Sequence, residues 1–152
     1  MLSRPGTYAL ILASSSEASL IIGKLGRLEL RAGCYVYVGS AFGPGGLNSR
    51  ISRHRKKTGP IHWHIDYLKT AVCLNEIWVT CDPVRREHQW AELIAEGRNA
   101  STPMPGFGSS DCGCESHLFF FSSRPSGNYF KRKVHSKFQD HKKLFILKET
   151  KD

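Results

Sequence analysis

The chain has 152 residues, enough for one domain with a modest core. Hydrophobic residues make up 40% and charged residues 23%, which excludes a disordered or membrane-embedded chain. The charge is lopsided: 22 Lys and Arg stand against 13 Asp and Glu, a formal +9.

A polyanion is therefore the natural partner, because cations that displace counterions from a phosphate backbone gain affinity for it. No long basic amphipathic helix is visible, which argues against a membrane surface as partner. The longest early apolar run, residues 8–13, is too short to span a bilayer and has poor flanks for a signal peptide. A cytoplasmic, nucleoid-associated protein is expected.

In chain order, TYALILA over residues 7–13 reads as a strand. Two apolar runs around Gly-Lys-Leu-Gly at 23–26 read as a hairpin. Residues 34–39, CYVYVG, alternate cleanly. Tyr35, Tyr37 and Gly39 would share one face of that strand, and Cys34, Val36 and Val38 the other. Gly43, Pro44, Gly45 and Gly46 break it. A helix is expected over 47–57, ended by Thr58-Gly59-Pro60.

Residues 61–71 read as a short helical or irregular element and 74–80 as a strand. The next helix is expected with Pro83 in its first turn and its end near Glu96. A loop rich in Gly, Pro and Ser leads to a short buried strand at 117–122. Cys34, Cys73 and Cys81 fall in strand-like runs and read as buried thiols. No disulfide framework is expected from five cysteines in a reducing compartment.

Residues 122–152 carry nine Lys and Arg against three acids, which is six of the nine net charges. Tyr129, Phe130, Phe138 and Phe145 interleave those cations. This segment reads as a basic, partly ordered extension to a domain over residues 1–121.

Helical projection singles out polar residues near buried stripes. Arg50 and His54 fall about 60° and about 20° from Leu47, beside the stripe that Leu47 and Ile51 define. Either the Arg50 stem covers apolar surface or its head lines a cleft. In a helix begun at Val84, Glu87 falls about 60° from Val84, within the stripe of Trp90, Ala91 and Ile94. A carboxylate there needs an arginine or a divalent cation as partner. Tyr8 and Tyr37 are either core aromatics with wet hydroxyls or phenols gathered at one end of the sheet.

Together these positions resemble the GIY-YIG endonuclease superfamily. Gly6-Thr7-Tyr8 corresponds to its first motif and Tyr37-Val38-Gly39 to its second. Arg50 with His54 corresponds to the arginine and histidine of the following helix, and Glu87 ahead of Trp90 to its metal-binding glutamate. The blocks GKLGRLEL, GCYVYVGSA, HWHIDYL and PGFGSSDCGCESHLF are similar to a smaller branch, sometimes fused to endonuclease III-like glycosylases. That match covers residues 5–121. The chain departs from the superfamily pattern in the hairpin between the two tyrosines, a longer glycine loop before Arg50, and no assignable late asparagine.

The resemblance implies an α+β fold: a small, central, mostly antiparallel sheet flanked by helices, with the hairpin inserted. It also implies a metal-dependent endonuclease that hydrolyses phosphodiester bonds, in DNA first and RNA second, during repair, recombination or restriction. Glu87 would hold one Mg²⁺ or Mn²⁺, and Arg50 would contact the phosphate. Tyr8 and Tyr37 would position the attacking water, one of them as base, and His54 would orient a tyrosine or shuttle a proton. Arg53, Arg55, Lys56 and Lys57, with Lys131, Arg132 and Lys133 from the extension, would follow the nucleic-acid backbone.

His62, His64, Cys112, Cys114 and His117 are zinc-ligand types, although Cys-x-Cys is tighter than the usual spacing. The same block could wall the active site through Ser109, Ser110 and His117, or be hydrogen-bonded within itself. Two other functions stay open: a nucleic-acid-binding module without catalysis, and a zinc-stabilised interaction domain.

Overall fold

The computed structural model describes residues 2–109 and 113–149. The elements run β1 (Gly6–Ser14), β2 (Ala18–Ile22), β3 (Gly26–Leu30), β4 (Gly33–Ala41), α1 (Gly46–Arg55), α2 (His64–Leu68), β5 (Cys73–Thr80), α3 (Glu87–Ala95), β6 (Leu118–Phe121), α4 (Gly127–Lys137) and β7 (Leu144–Lys148). The fold is α+β. Five strands form one antiparallel sheet in the order β6-β4-β1-β5-β7. β2 and β3 form the expected hairpin as a separate two-stranded sheet.

β1 is central because both of its faces are covered, and residues 6–12 are all buried. Alternation along the strands divides the core in two. On one face Tyr8, Leu10, Leu12, Tyr35 and Tyr37 pack with Leu47 and Ile51 of α1, Ile65 and Leu68 of α2, and Leu28 of the hairpin. On the other face Ala9, Ile11, Val36, Val38 and Trp78 pack with Trp90 and Ile94 of α3 and Phe130 and Val134 of α4. The two faces of β4 are those the alternation predicts.

The glycines beside the two tyrosines have packing reasons. Gly39 lies opposite Tyr8 in the β1–β4 register. A Cβ there would stand 2.5 Å from the Tyr8 ring and hydroxyl, so the phenol lies where a side chain would be. At Gly6 a Cβ would collide with the Thr80 carbonyl of the neighbouring strand.

Three expectations need correction. α3 starts at Glu87 and not near Pro83, and Val84 is 49% exposed instead of lying on the helix's apolar face. The cause is Asp82. Its Oδ1 accepts the Val84 N–H at 2.9 Å, and its Oδ2 holds Arg86 Nε at 3.0 Å and the Lys142 N–H at 2.9 Å. Such a local side-chain turn competes with helix.

The segment read as an extension is part of the sheet domain. β7 pairs with β5, and α4 buries Phe130 and Val134 against the sheet. Finally, Cys73 is exposed at the start of β5, whereas Cys34 is buried and Cys81 half-buried.

Phe130 stacks on Trp78 at 4.8 Å between centroids and meets Trp90 edge-on at 5.2 Å. Phe130→Ala is expected to cost about 3 kcal/mol or more in urea denaturation. A chain ended after residue 121 should lose its cooperative transition altogether.

Candidate active site

β1 and β4 bring Tyr8 and Tyr37 to the same face as near neighbours, since Tyr8 pairs with Gly39 and Leu10 with Tyr37. α1 crosses above them with Arg50 and His54. The first turn of α3 brings Glu87 from the other side. Tyr8, Tyr37, Arg50 and Glu87 line one cleft of about 380 Å³, together with Gly39, Ser40, Trp63, Arg85, His88, Gly108 and His117. The four groups named from the sequence therefore converge.

His54 sits behind the cleft, 4% exposed. Its Nε2 is 2.7 Å from the Tyr8 hydroxyl. Burial pushes its pKa down to about 3, with Lys69 adding to the effect and Asp66 opposing it. The imidazole is thus neutral. Its Nδ1 is buried without a hydrogen-bond partner among the described residues. A buried N–H without an acceptor is the costlier orphan, so the proton belongs on Nε2, which donates to the Tyr8 oxygen. The Tyr8 O–H is then directed to the cleft.

Burial raises the Tyr8 phenol well above its ordinary value, Tyr37 adds to this, and Arg50 opposes it. Burial also raises Tyr37, with the Glu87 charge adding to it. Both phenols therefore stay protonated in the cleft as it stands. Glu87 differs. Burial would raise its carboxyl, but His117, His88 and Arg85 outweigh burial and hold it below its ordinary value. Its place in the first turn of α3 favours the anion further.

Arg50 is held by an aromatic plate. Its guanidinium lies 4.4 Å from the Trp63 ring, and Arg53 lies 4.3 Å from the same ring. Trp63 is in turn fixed by Asp66, whose Oδ2 accepts the His62 and Trp63 N–H groups, each at 2.9 Å, and Arg53 at 2.8 Å. The HWHID block is thus organised by a carboxylate. A second groove, about 530 Å³, shares Arg50 and Trp63 with the cleft and is lined also by Arg53, Lys56 and Lys69, with no acid among the described residues of its lining.

The other expected residues divide. Arg53 is tied to Asp66, and Arg55 to Glu149 at 2.7 Å. Lys56 and Lys57 are exposed after α1. Lys131, Arg132 and Lys133 lie on α4, which covers the opposite face of the sheet from α1, and none of them lines the cleft.

The expected second metal set is regrouped. His64 accepts the Gly108 N–H on Nδ1 at 2.9 Å, and the His62 ring lies beside Trp63 at 6.2 Å. Cys112 and Ser110 lie outside the described residues. Cys114 and His117 instead join His88, with ligand-capable atoms within 4.8 Å of one another, and this group could hold a metal ion. Ser109 is buried and contacts the Glu115 carbonyl at 3.5 Å.

Sequence reasoning missed His88, Trp63 and Arg85; Asp66 reads there only as a zinc-ligand type, and the structure instead gives it to Arg53, Lys69 and two backbone N–H groups. His88 follows Glu87 directly, but its neighbour Cys114 stands 26 residues further along the chain, and no local pattern links the two. Among the described residues, no helix is long and apolar enough to cross a membrane.

Folding stability should report the neutral His54. The unfolded chain protonates it near its ordinary 6.5, the folded chain near 3. Its stabilising contribution is complete above 6.5 and is lost as pH falls towards 3. The groups facing it are Tyr8, Tyr37, Arg50, Arg53, Asp66 and Lys69. Urea denaturation from about pH 4 to about pH 7 should show a slope reduced in His54→Gln by up to about 1.4 kcal/mol per pH unit. His64 and His141 also have lowered pKa values and remain in the variant, so the difference isolates His54.

The family model described as Domain of unknown function DUF123 matches residues 7–140. No curated protein and no solved structure gives a match.

Proposed function

The chain belongs to the DUF123 family, and we propose that it is a metal-dependent phosphodiesterase that cleaves nucleic acid, DNA in the first instance. The observation that carries this reading is the convergence of two phenols, one guanidinium and one ionised carboxylate on a single cleft. The resemblance of those residues to the GIY-YIG endonucleases supports it. So does the groove that runs on from Arg50, lined by Arg53, Lys56 and Lys69, a shape suited to a phosphate backbone.

The site suits one divalent ion. Glu87 is ionised and reaches the cleft, and Mg²⁺ commonly binds through one or two carboxylates while keeping several waters. Mg²⁺ or Mn²⁺ bound there would polarise the phosphoryl group and neutralise the leaving oxygen. Zinc, the other ion considered, has a separate donor set in His88, Cys114 and His117.

The chain's own residues do the rest. Arg50, braced by Trp63, holds the phosphate and meets the charge that grows on it. His54 donates to the Tyr8 oxygen and keeps the Tyr8 O–H aimed into the cleft. Tyr8 and Tyr37 stay neutral and orient the attacking water. A base role for Tyr8 would require the cations of the cleft to lower a phenol that burial has raised.

The test is a panel of labelled single-stranded, duplex and branched DNA and RNA, incubated with Mg²⁺ or Mn²⁺. Wild type should cut at least one substrate. Glu87→Ala should abolish cutting while gel retardation persists. Arg50→Ala should slow cutting by about 10²–10³-fold. Binding without cutting by the wild type would make the chain a nucleic-acid-binding module and overturn the catalytic reading.

A further inference from the structure

The cleft wall carries donors that a magnesium site does not use. His88 Nδ1 approaches Cys114 Sγ at 2.9 Å. The His88 and His117 rings stand nearly perpendicular at 67°, with centroids 5.9 Å apart. His88 comes from the first turn of α3, while Cys114 and His117 come from the loop entering β6. The backbone of residue 117 is bonded on both sides. The His117 N–H donates to Phe107 O at 2.8 Å, and its carbonyl accepts the Val38 N–H at 3.0 Å. The His117 ring is 1% exposed, and its Nδ1 lies 3.3 Å from Glu87 Oε2.

Carboxylate, imidazole and sulfur stand here in a functional order. A carboxylate on one ring nitrogen fixes the proton there and leaves the other nitrogen's lone pair for a metal. Two imidazoles and a thiolate are donors for zinc, whereas magnesium and calcium want oxygen.

We propose that His88, Cys114 and His117 form a zinc site in the cleft wall, with Glu87 orienting His117. Binding takes the proton from the Cys114 thiol and releases it to solvent, so the site gains a thiolate as it gains the ion. His88 and His117 both line the cleft, so an ion held by them would sit beside the space where a phosphate would lie. A phosphate oxygen is a ligand within reach of an ion so placed. That last point rests on the phosphodiesterase reading; the zinc site does not.

Protein purified without chelator or histidine tag should contain about one zinc per chain by mass spectrometry of the metal. Cys114→Ser and His88→Ala should lose it, and His88 is exposed, so that variant should still fold. His62→Ala, outside the cluster, should keep it. Glu87→Gln should weaken zinc affinity about 10- to 100-fold. Cobalt in place of zinc should give a thiolate-to-cobalt charge-transfer band that Cys114→Ser abolishes, and added inorganic phosphate should shift the visible bands.

Wild type without stoichiometric zinc, or both ligand variants with full zinc, would overturn the site. A cobalt spectrum blind to phosphate would overturn contact between the ion and a phosphate. Neither readout involves cleavage, so an inactive protein that binds zinc sinks only the phosphodiesterase. An active protein without zinc sinks only this site.

Discussion

One buried carboxylate holds the cleft side of this fold together. Asp66 is 1% exposed. Burial works against its charge, yet the His62 and Trp63 N–H groups, Arg53 and Lys69 hold its pKa at about 2. Those partners belong to α1, to the loop before α2 and to the residue that ends α2, so one side chain ties three segments. Trp63 is planted by it, and Trp63 in turn braces Arg50. Removing a partner from a buried charge of this kind costs about 3–5 kcal/mol, because the charge left behind has lost its water as well. The placement of the cleft's principal cation therefore depends on a group that does not touch the cleft.

Inside the cleft, burial separates the titrating groups by type. It raises the two phenols, lowers the His54 imidazole, and fails to neutralise Glu87 because cations and imidazoles surround that carboxylate. The result is a neutral, hydrogen-bonded floor with the Glu87 anion and, among its cations, the Arg50 guanidinium at its edges. Such a floor can orient water without competing for a metal. The anion and the guanidinium are left to meet opposite partners, a cation and a phosphate.

The basic surface divides along the sheet. Cations after α1 and along the adjoining groove share a side with the cleft, whereas those of α4 lie behind the sheet. α4 is also needed for the core, since Phe130 and Val134 fill the second face and β7 closes an edge. The hairpin of β2 and β3 serves the first face, where Ile22, Leu28 and Leu30 are buried. Both segments that look like additions in sequence carry apolar surface that the sheet needs.

How much was legible follows from which signals are local. Alternation and helical period are properties of neighbouring residues. They placed Tyr37 on the face away from Val36 and Val38, set Arg50 and His54 beside a buried stripe, and found the hairpin. Gly39 and Gly6 stand in the motifs, but the reasons for them, a tyrosine ring and a neighbouring carbonyl, lie on other strands. The Asp82 turn displaced the start of α3, and His88 went unseen because Cys114 and His117, which it meets in space, stand on a distant loop.

The residue chemistry and the order of elements came from the sequence by itself: two phenols, a guanidinium, an imidazole and a carboxylate on strand, strand, helix, helix and helix. Only the tertiary structure decided that residues 8, 37, 50 and 87 meet at one cleft, that residue 88 joins 114 and 117, and that residues 122–149 complete the sheet domain. Those outcomes depend on strand register and on buried polar contacts between segments far apart in the chain, and no local periodicity encodes them.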